Sequence, residues 1–203
     1  FTGGVAAITG IVESTKDYRN TMNGLETAFK TAGFEAANAN DTYKSLYSVL
    51  GDTDKAKEAA QFIGLMANNE KDLASWTDIC TGVYATFGDA LPIEGLTEAA
   101  NETAKVGQVT GVLADALNWA GISEDEFNEK LSNCSNEQER EKLIRETLNS
   151  TYKEASNLYK ETNESIIKNN ESQASLTENL SNIAEIFEPL VTKGKDFLNS
   201  VLI

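Results

Sequence analysis

Residues 69–88 read NEKDLASWTDICTGVYATFG. Within them Leu73, Trp76, Cys80, Val83 and Phe87 recur at steps of three and four, the spacing that puts side chains on one face of an α-helix. Gly88 stands where that helix ends, and Pro92 where the next begins. A tryptophan, a cysteine and several aromatics so close together could mark a reactive centre. The shared helical face argues instead for core: buried free cysteine packs as a small hydrophobe, and a thiolate nucleophile has no imidazole base here because the chain contains no histidine.

The same punctuation continues on both sides. Leu96, Ala99, Ala100 and Thr103 carry a helix to Gly107, and Thr110 is positioned to cap a shorter one bearing Leu113, Leu117 and Trp119 as far as Gly121. Ser123 to Glu126 form a capping box ahead of Phe127 and Leu131. Upstream, Val5, Ile8, Val12, Tyr18, Met22, Leu25 and Phe29 predict one helix closed at Gly33, with Phe34 folding back across the turn. Tyr43, Leu46, Tyr47 and Leu50 predict a second helix, ending at Gly51. Asp52 and Thr53 can cap a third, whose inner face carries Ala56, Ala59, Ala60, Ile63 and Met66. Only two prolines occur, and none precedes Pro92, which favours long helices. The fold class is therefore all-α. Residues 1–135 are expected to form a compact module of short glycine-capped helices, with Leu73, Trp76, Cys80, Val83, Phe87, Leu113, Leu117 and Trp119 in its core.

From Asn136 the pattern lengthens. Asn136 offers a cap, and Ile144, Leu148, Tyr152, Ala155, Tyr159 and Ile166 follow without glycine or proline. Leu176, Leu180, Ile183, Phe187 and Leu190 then alternate steps of four and three, the a/d spacing of a coiled coil. Residues 136–203 thus read as a long helical segment. From Glu137 to Glu188 it is either an unbroken rod of roughly 80 Å, at about 1.5 Å per residue, or a hairpin broken near Asn170.

The 203 residues carry a net charge of −15, which repels phosphate backbones and anionic lipid and disfavours nucleic-acid binding or polybasic membrane docking. Hydrophobic residues make up 40% and charged residues 24%, ordinary values that oppose wholesale disorder. Cys80 and Cys134 lie too far apart in sequence to suggest a thiol metal site, and decide neither a disulfide nor a redox compartment. The N-x-S/T triplets at Asn101, Asn163 and Asn170 follow from an Asn- and Ser-rich composition. Apolar FTGGVAAITGIV at one end and FLNSVLI at the other suggest an excerpt from a longer polypeptide, cut between hydrophobic segments, the alternative being that both ends pack into the domain.

No reactive constellation stands out. Glu124, Asp125 and Glu126, and again Glu137, Glu139 and Glu141, are read as lying in the first turn of a helix, where negative charge meets the positive end of the macrodipole. Asp52 and Asp54 resemble the opening of a calcium loop, but Lys57 stands where the loop needs glycine and Ile63 where it needs glutamate. Phosphate-binding and dinucleotide-binding glycine patterns are absent. No catalytic, cofactor-binding or metal-ligating residue is assigned, no cofactor is expected, and the chain is read as a structural or interaction protein, not an enzyme.

Two stretches point further. NEKDLASWTDICTGVYATFGDALPIEGLTEAANETAK (residues 69–105) and TGVLADALNWAGISEDEF (residues 110–127) resemble the tail tape measure proteins of siphophages and prophages of Gram-positive hosts. The likeness runs from about Tyr47 to Gly121 and extends more weakly to STKDYRNTMNGLETAF and NEQEREKLIRETLNSTY. It implies a virion structural protein present as a few helical copies in the tail lumen, and in the host cytoplasm during assembly. Such a protein sets tube length, is ejected at infection and assists genome delivery. The implied partners are other copies, tail tube, tail-tip and tail-assembly chaperone proteins, with possible host-envelope contact and no specific nucleic-acid binding. The competing reading is a helical binding module for a tail-tip, chaperone or envelope partner.

Overall fold

The computed structural model describes residues 2–201, which form ten α-helices and one 3-10 turn with no strand among them. Phe1, Leu202 and Ile203, which belong to the two apolar terminal stretches, lie outside the described residues, as do the side chains of Thr2, Leu198 and Val201. In chain order the helices are α1 (Thr2–Ser14), α2 (Lys16–Thr31), α3 (Ala36–Leu50), α4 (Thr53–Met66) and α5 (Glu70–Phe87). After the 3-10 turn Gly88–Ala90 come α6 (Ile93–Val106), α7 (Val112–Trp119), α8 (Glu124–Ser132), α9 (Glu137–Thr162) and α10 (Glu164–Val201).

Most helix starts are those the caps dictate. Asp52 Oδ1 accepts from Lys55 N at 3.0 Å, Ser123 Oγ from Glu126 N at 3.3 Å and Asn136 Oδ1 from Glu139 N at 2.9 Å. Gly33 takes a positive φ of 93°, and Phe34 N reaches back to Phe29 O at 2.9 Å while the two rings meet at 5.8 Å, closing α2 as expected. Thr110 departs from expectation. Gly111 occupies the cap position of α7, while Thr110 Oγ1 lies 3.3 Å from both Thr103 Oγ1 and Ala99 O, tying the loop to α6.

Two long helices are interrupted where side chains compete for backbone carbonyls. The expected helix from Val5 to Phe29 divides at Thr15, whose Oγ1 bonds Ile11 O at 2.8 Å while Arg19 Nη2 bonds Val12 O at 2.8 Å. The expected rod or hairpin divides at Asn163 (φ −114°, ψ 21°), not near Asn170; Asn163 Nδ2 bonds Tyr159 O at 3.1 Å. Asn170 lies within continuous helix and donates to Ser48 O at 3.0 Å.

The chain forms two compact units, one from Leu25 to Glu171 and one from the two chain ends, up to Gly24 and from Ser172 onward. A boundary at residue 135 would detach α9, yet α9 lies along α5 and buries Ile144, Leu148 and Tyr152 there. In the 25–171 unit α5 is central: it packs on α9, α3, α4 and α6, while α6 also meets α4, α7 and α9. Trp76, Ile79, Cys80 and Val83 on α5 are fully buried. Gly82 lets α9 approach so closely that its missing Cβ would fall 2.1 Å from the Tyr152 carbonyl oxygen. In the chain-end unit, Glu13 pairs with Lys195 at 2.9 Å and Arg19 with Glu188 at 2.5 Å, so α1 and the start of α2 run antiparallel to α10. Val12, Thr15 and Met22 are buried on one side, Ala174, Ser181 and Ala184 on the other.

Candidate functional site

The most concentrated chemistry of the 25–171 unit is a buried ion cluster between α5 and α9. Arg145 on α9 reaches Asp72 on α5 with Nη2 at 2.9 Å and Glu141, one turn earlier on its own helix, with Nε at 2.8 Å. Glu141 Oε1 also accepts from Trp76 Nε1 at 2.8 Å, and Asn68 Nδ2 lies 3.4 Å from Oε2. Asp72 Oδ2 accepts from Asn68 N and Asn69 Nδ2, both at 3.1 Å. Two carboxylates face one guanidinium, but the α4–α5 turn supplies further donors, so every charge is met. The arrangement clamps two helices together, and with its oxygens occupied by protein donors it offers no free nucleophile or base.

The cluster escaped the sequence reading, which placed Glu141 among first-turn acids facing the helix dipole; only Glu137 and Glu139 lie in that turn. Glu141 is only 2% exposed. Its single sequence cue is the i,i+4 spacing to Arg145, which many exposed pairs share. Burial pushes its carboxyl above the ordinary value of 4.5, against the opposing pull of Arg145 and Trp76. The folded protein therefore holds this proton more tightly than the unfolded chain, so Glu141 contributes most below the ordinary carboxyl range and less as pH rises through its folded pKa. Urea denaturation of wild type and Glu141→Gln from acid to neutral pH is expected to show the wild type losing ground to the variant as pH rises. A constant difference would contradict this.

Around it, the sequence-assigned core residues fall mostly inside. Leu73, Trp76, Cys80, Val83, Leu113 and Leu117 are buried, and Phe87 is half-buried. Burial pushes the Cys80 thiol far upward, so it stays protonated, consistent with packing. Trp119 is the exception: it ends α7 at 73% exposure, with its ring 5.4 Å from Phe87. Its place follows from a helix only two turns long, whose inward face is already filled by Leu113, Ala116 and Leu117. Acrylamide quenching is expected to split the fluorescence into an accessible and a protected part, and Trp119→Phe to remove the accessible part. Loss of the protected part instead would reverse the two assignments.

The seam residues on α10 do not pair with another helix along their length. Leu176, Ile183 and Leu190 are 59%, 40% and 63% exposed, Leu180 and Phe187 are half-buried, and the buried side carries the small Ala174, Ser181 and Ala184. The small residues are the ones that permit close helix approach.

A groove of about 590 Å³ opens between α3, α5 and the α9–α10 junction. Leu73, Val49 and Ile167 give it an apolar floor, with Thr42, Thr77 and Thr81 beside them. Lys160 pairs with Asp78 and Lys168 with Glu164, leaving Asp41, Glu70 and Glu171 to make the rim acidic. Glu70 also accepts from Asn38 Nδ2 at 3.1 Å. Such a surface suits an amphipathic partner carrying positive charge. Among the described residues no group of three or more His, Cys, Asp or Glu side chains is arranged to hold a metal ion, and no helix is long and apolar enough to cross a membrane. Comparison with protein-family models, curated proteins and solved structures gave no significant match.

Proposed function

We propose that this chain is a structural segment of a phage tail tape measure protein, which sets tail length during tube assembly and leaves the tail at infection to assist genome delivery. The observation that carries the proposal is the resemblance over residues 69–105 and 110–127. Those stretches supply α5 to α7 and the start of α8, so the resemblance falls on core-building elements. The all-helical fold and net charge of −15 support it: helix provides length, and the acidity limits adhesion to DNA sharing the tail. The virion tail lumen is the proposed location, with tube, tip and assembly-chaperone proteins as partners. No catalytic step is assigned.

The test is tail length in a phage whose gene lacks residues 25–171 in frame. Laid out as continuous helix these residues would span roughly 220 Å at about 1.5 Å per residue. Folded compactly they would span roughly 40 Å. Shortening by either amount supports the ruler, and the amount tells which form is threaded through the tube. Tails of unchanged length that fail to infect would reject it and leave the second reading, a binding module, which the acid-rimmed groove between α3, α5 and the α9–α10 junction favours.

A further inference from the structure

Leu176, Ile183, Leu190 and Phe197 stand at successive steps of seven along α10, and they are 59%, 40%, 63% and 66% exposed. Ile186, 71% exposed, lies beside them. We propose that this stripe is an antiparallel interface with a second copy of the same chain.

A strict seven-residue repeat of large apolar side chains matches another supercoiling helix. A flat lipid surface requires no such repeat, and of the two lysines beyond Ser172 on this helix Lys195 is held by Glu13, so Lys193 alone beside the stripe is too little to attract an anionic headgroup layer. Charge decides which helix fits. Between Ser172 and Val201 the acids are Glu178, Glu185, Glu188 and Asp196, and at 3.6 residues per turn all four lie more than about 100° away from the stripe. Glu188 is turned toward Arg19 within its own unit. A basic partner would need carboxylates beside the stripe to recruit it. A chain of net charge −15 needs the reverse, a face free of like charge, to meet itself.

Lys193 sets the direction. With the four exposed residues at a positions, Asn179, Ile186 and Lys193 fall at d. An in-register parallel pair would place the two Lys193 ammonium groups in one layer. An antiparallel pair centred between Ile183 and Leu190 separates them by roughly 15 Å or more. That exceeds the screening length of about 8 Å at physiological salt.

The test is sedimentation equilibrium of the 203-residue chain across about 1–100 µM, where helix pairs of this length associate. A monomer–dimer equilibrium is expected, weakened about a hundredfold by Ile183→Asp, which buries an unpaired charge. Leu190→Gln, at a position more open to solvent and without a charge, should weaken it less, and circular dichroism should show both variants as helical as wild type. Spin labels on Ser175→Cys in a Cys134→Ser background are expected roughly 30–40 Å apart in an antiparallel dimer and about 10–15 Å apart in a parallel one. A monomer at every concentration overturns the proposal, as does a dimer indifferent to both substitutions. A short label distance overturns its direction, and a monomer that binds neutral vesicles through Ile183 assigns the stripe to lipid. None of these outcomes bears on tail length, so the tape measure reading stands or falls separately.

Discussion

Gly82→Ala is expected to destabilise the 25–171 unit by about 3–5 kcal/mol, at the severe end for one methyl group. The added Cβ would stand 2.1 Å from the Tyr152 carbonyl oxygen and 2.9 Å from its carbonyl carbon, so relief requires α5 and α9 to separate and not a rotamer change. Tyr152 has little freedom to yield: its hydroxyl donates to Ala116 O at 2.8 Å and its ring meets Phe87 at 6.0 Å. Thermal unfolding followed by circular dichroism should register a fall of roughly 10 °C or more at about 2–4 °C per kcal/mol. Gly24→Ala supplies the contrast. Its Cβ would meet nothing within 4 Å in the middle of α2, so a gain of about 0.5–1 kcal/mol is expected. A Gly82→Ala loss below about 1 kcal/mol would mean that α5 and α9 are less closely apposed.

Arg145→Ala is expected to cost about 3–5 kcal/mol near neutral pH, because it strands two buried carboxylates and removes nothing that water can replace. Asp72 and Glu141 side chains are 8% and 2% exposed, and Arg145 bridges both. Without it the Glu141 carboxyl, already raised by burial, loses the opposing pull of Arg145 and binds its proton more tightly still in the folded state. The deficit should therefore shrink as pH falls toward about 4 and grow as it rises. Urea midpoints of wild type and variant at the two pH values measure this, and a pH-independent deficit would locate the loss in packing alone. Replacing Asp72, Glu141 and Arg145 together with apolar residues of similar volume should be far milder than Arg145→Ala, since no orphaned charge remains.

Much of the fold was legible because the sequence marks it locally. Asp52, Ser123 and Asn136 cap the helices they were expected to cap, and the stripe from Leu73 to Val83 is buried as its spacing requires. What escaped depends on which helix faces which. Periodicity identifies an apolar stripe on α10 without saying what covers it, and the chain buries the neighbouring Ala174, Ser181 and Ala184 instead. Trp119 was assigned inward by residue type, although a helix of eight residues has room for only a short inner face. The compact module was drawn too short because the long run after Asn136 carries no glycine stop, and nothing local reveals that its first half lies against α5. The Asp72–Glu141–Arg145 cluster joins residues about seventy positions apart, beyond any local pattern.

The chain-end unit also dictates an order of events. Glu13 and Lys195 lie 182 positions apart, and Arg19 and Glu188 lie 169 apart. At about 5–20 residues per second, a ribosome presents α1 roughly 10–40 s before the matching part of α10 exists. The 25–171 unit is contiguous and has no such wait. During synthesis the buried side of this pairing, Val12, Thr15 and Met22, therefore waits while the middle of the chain completes its fold, and docking of α10 is the step that ends the interval.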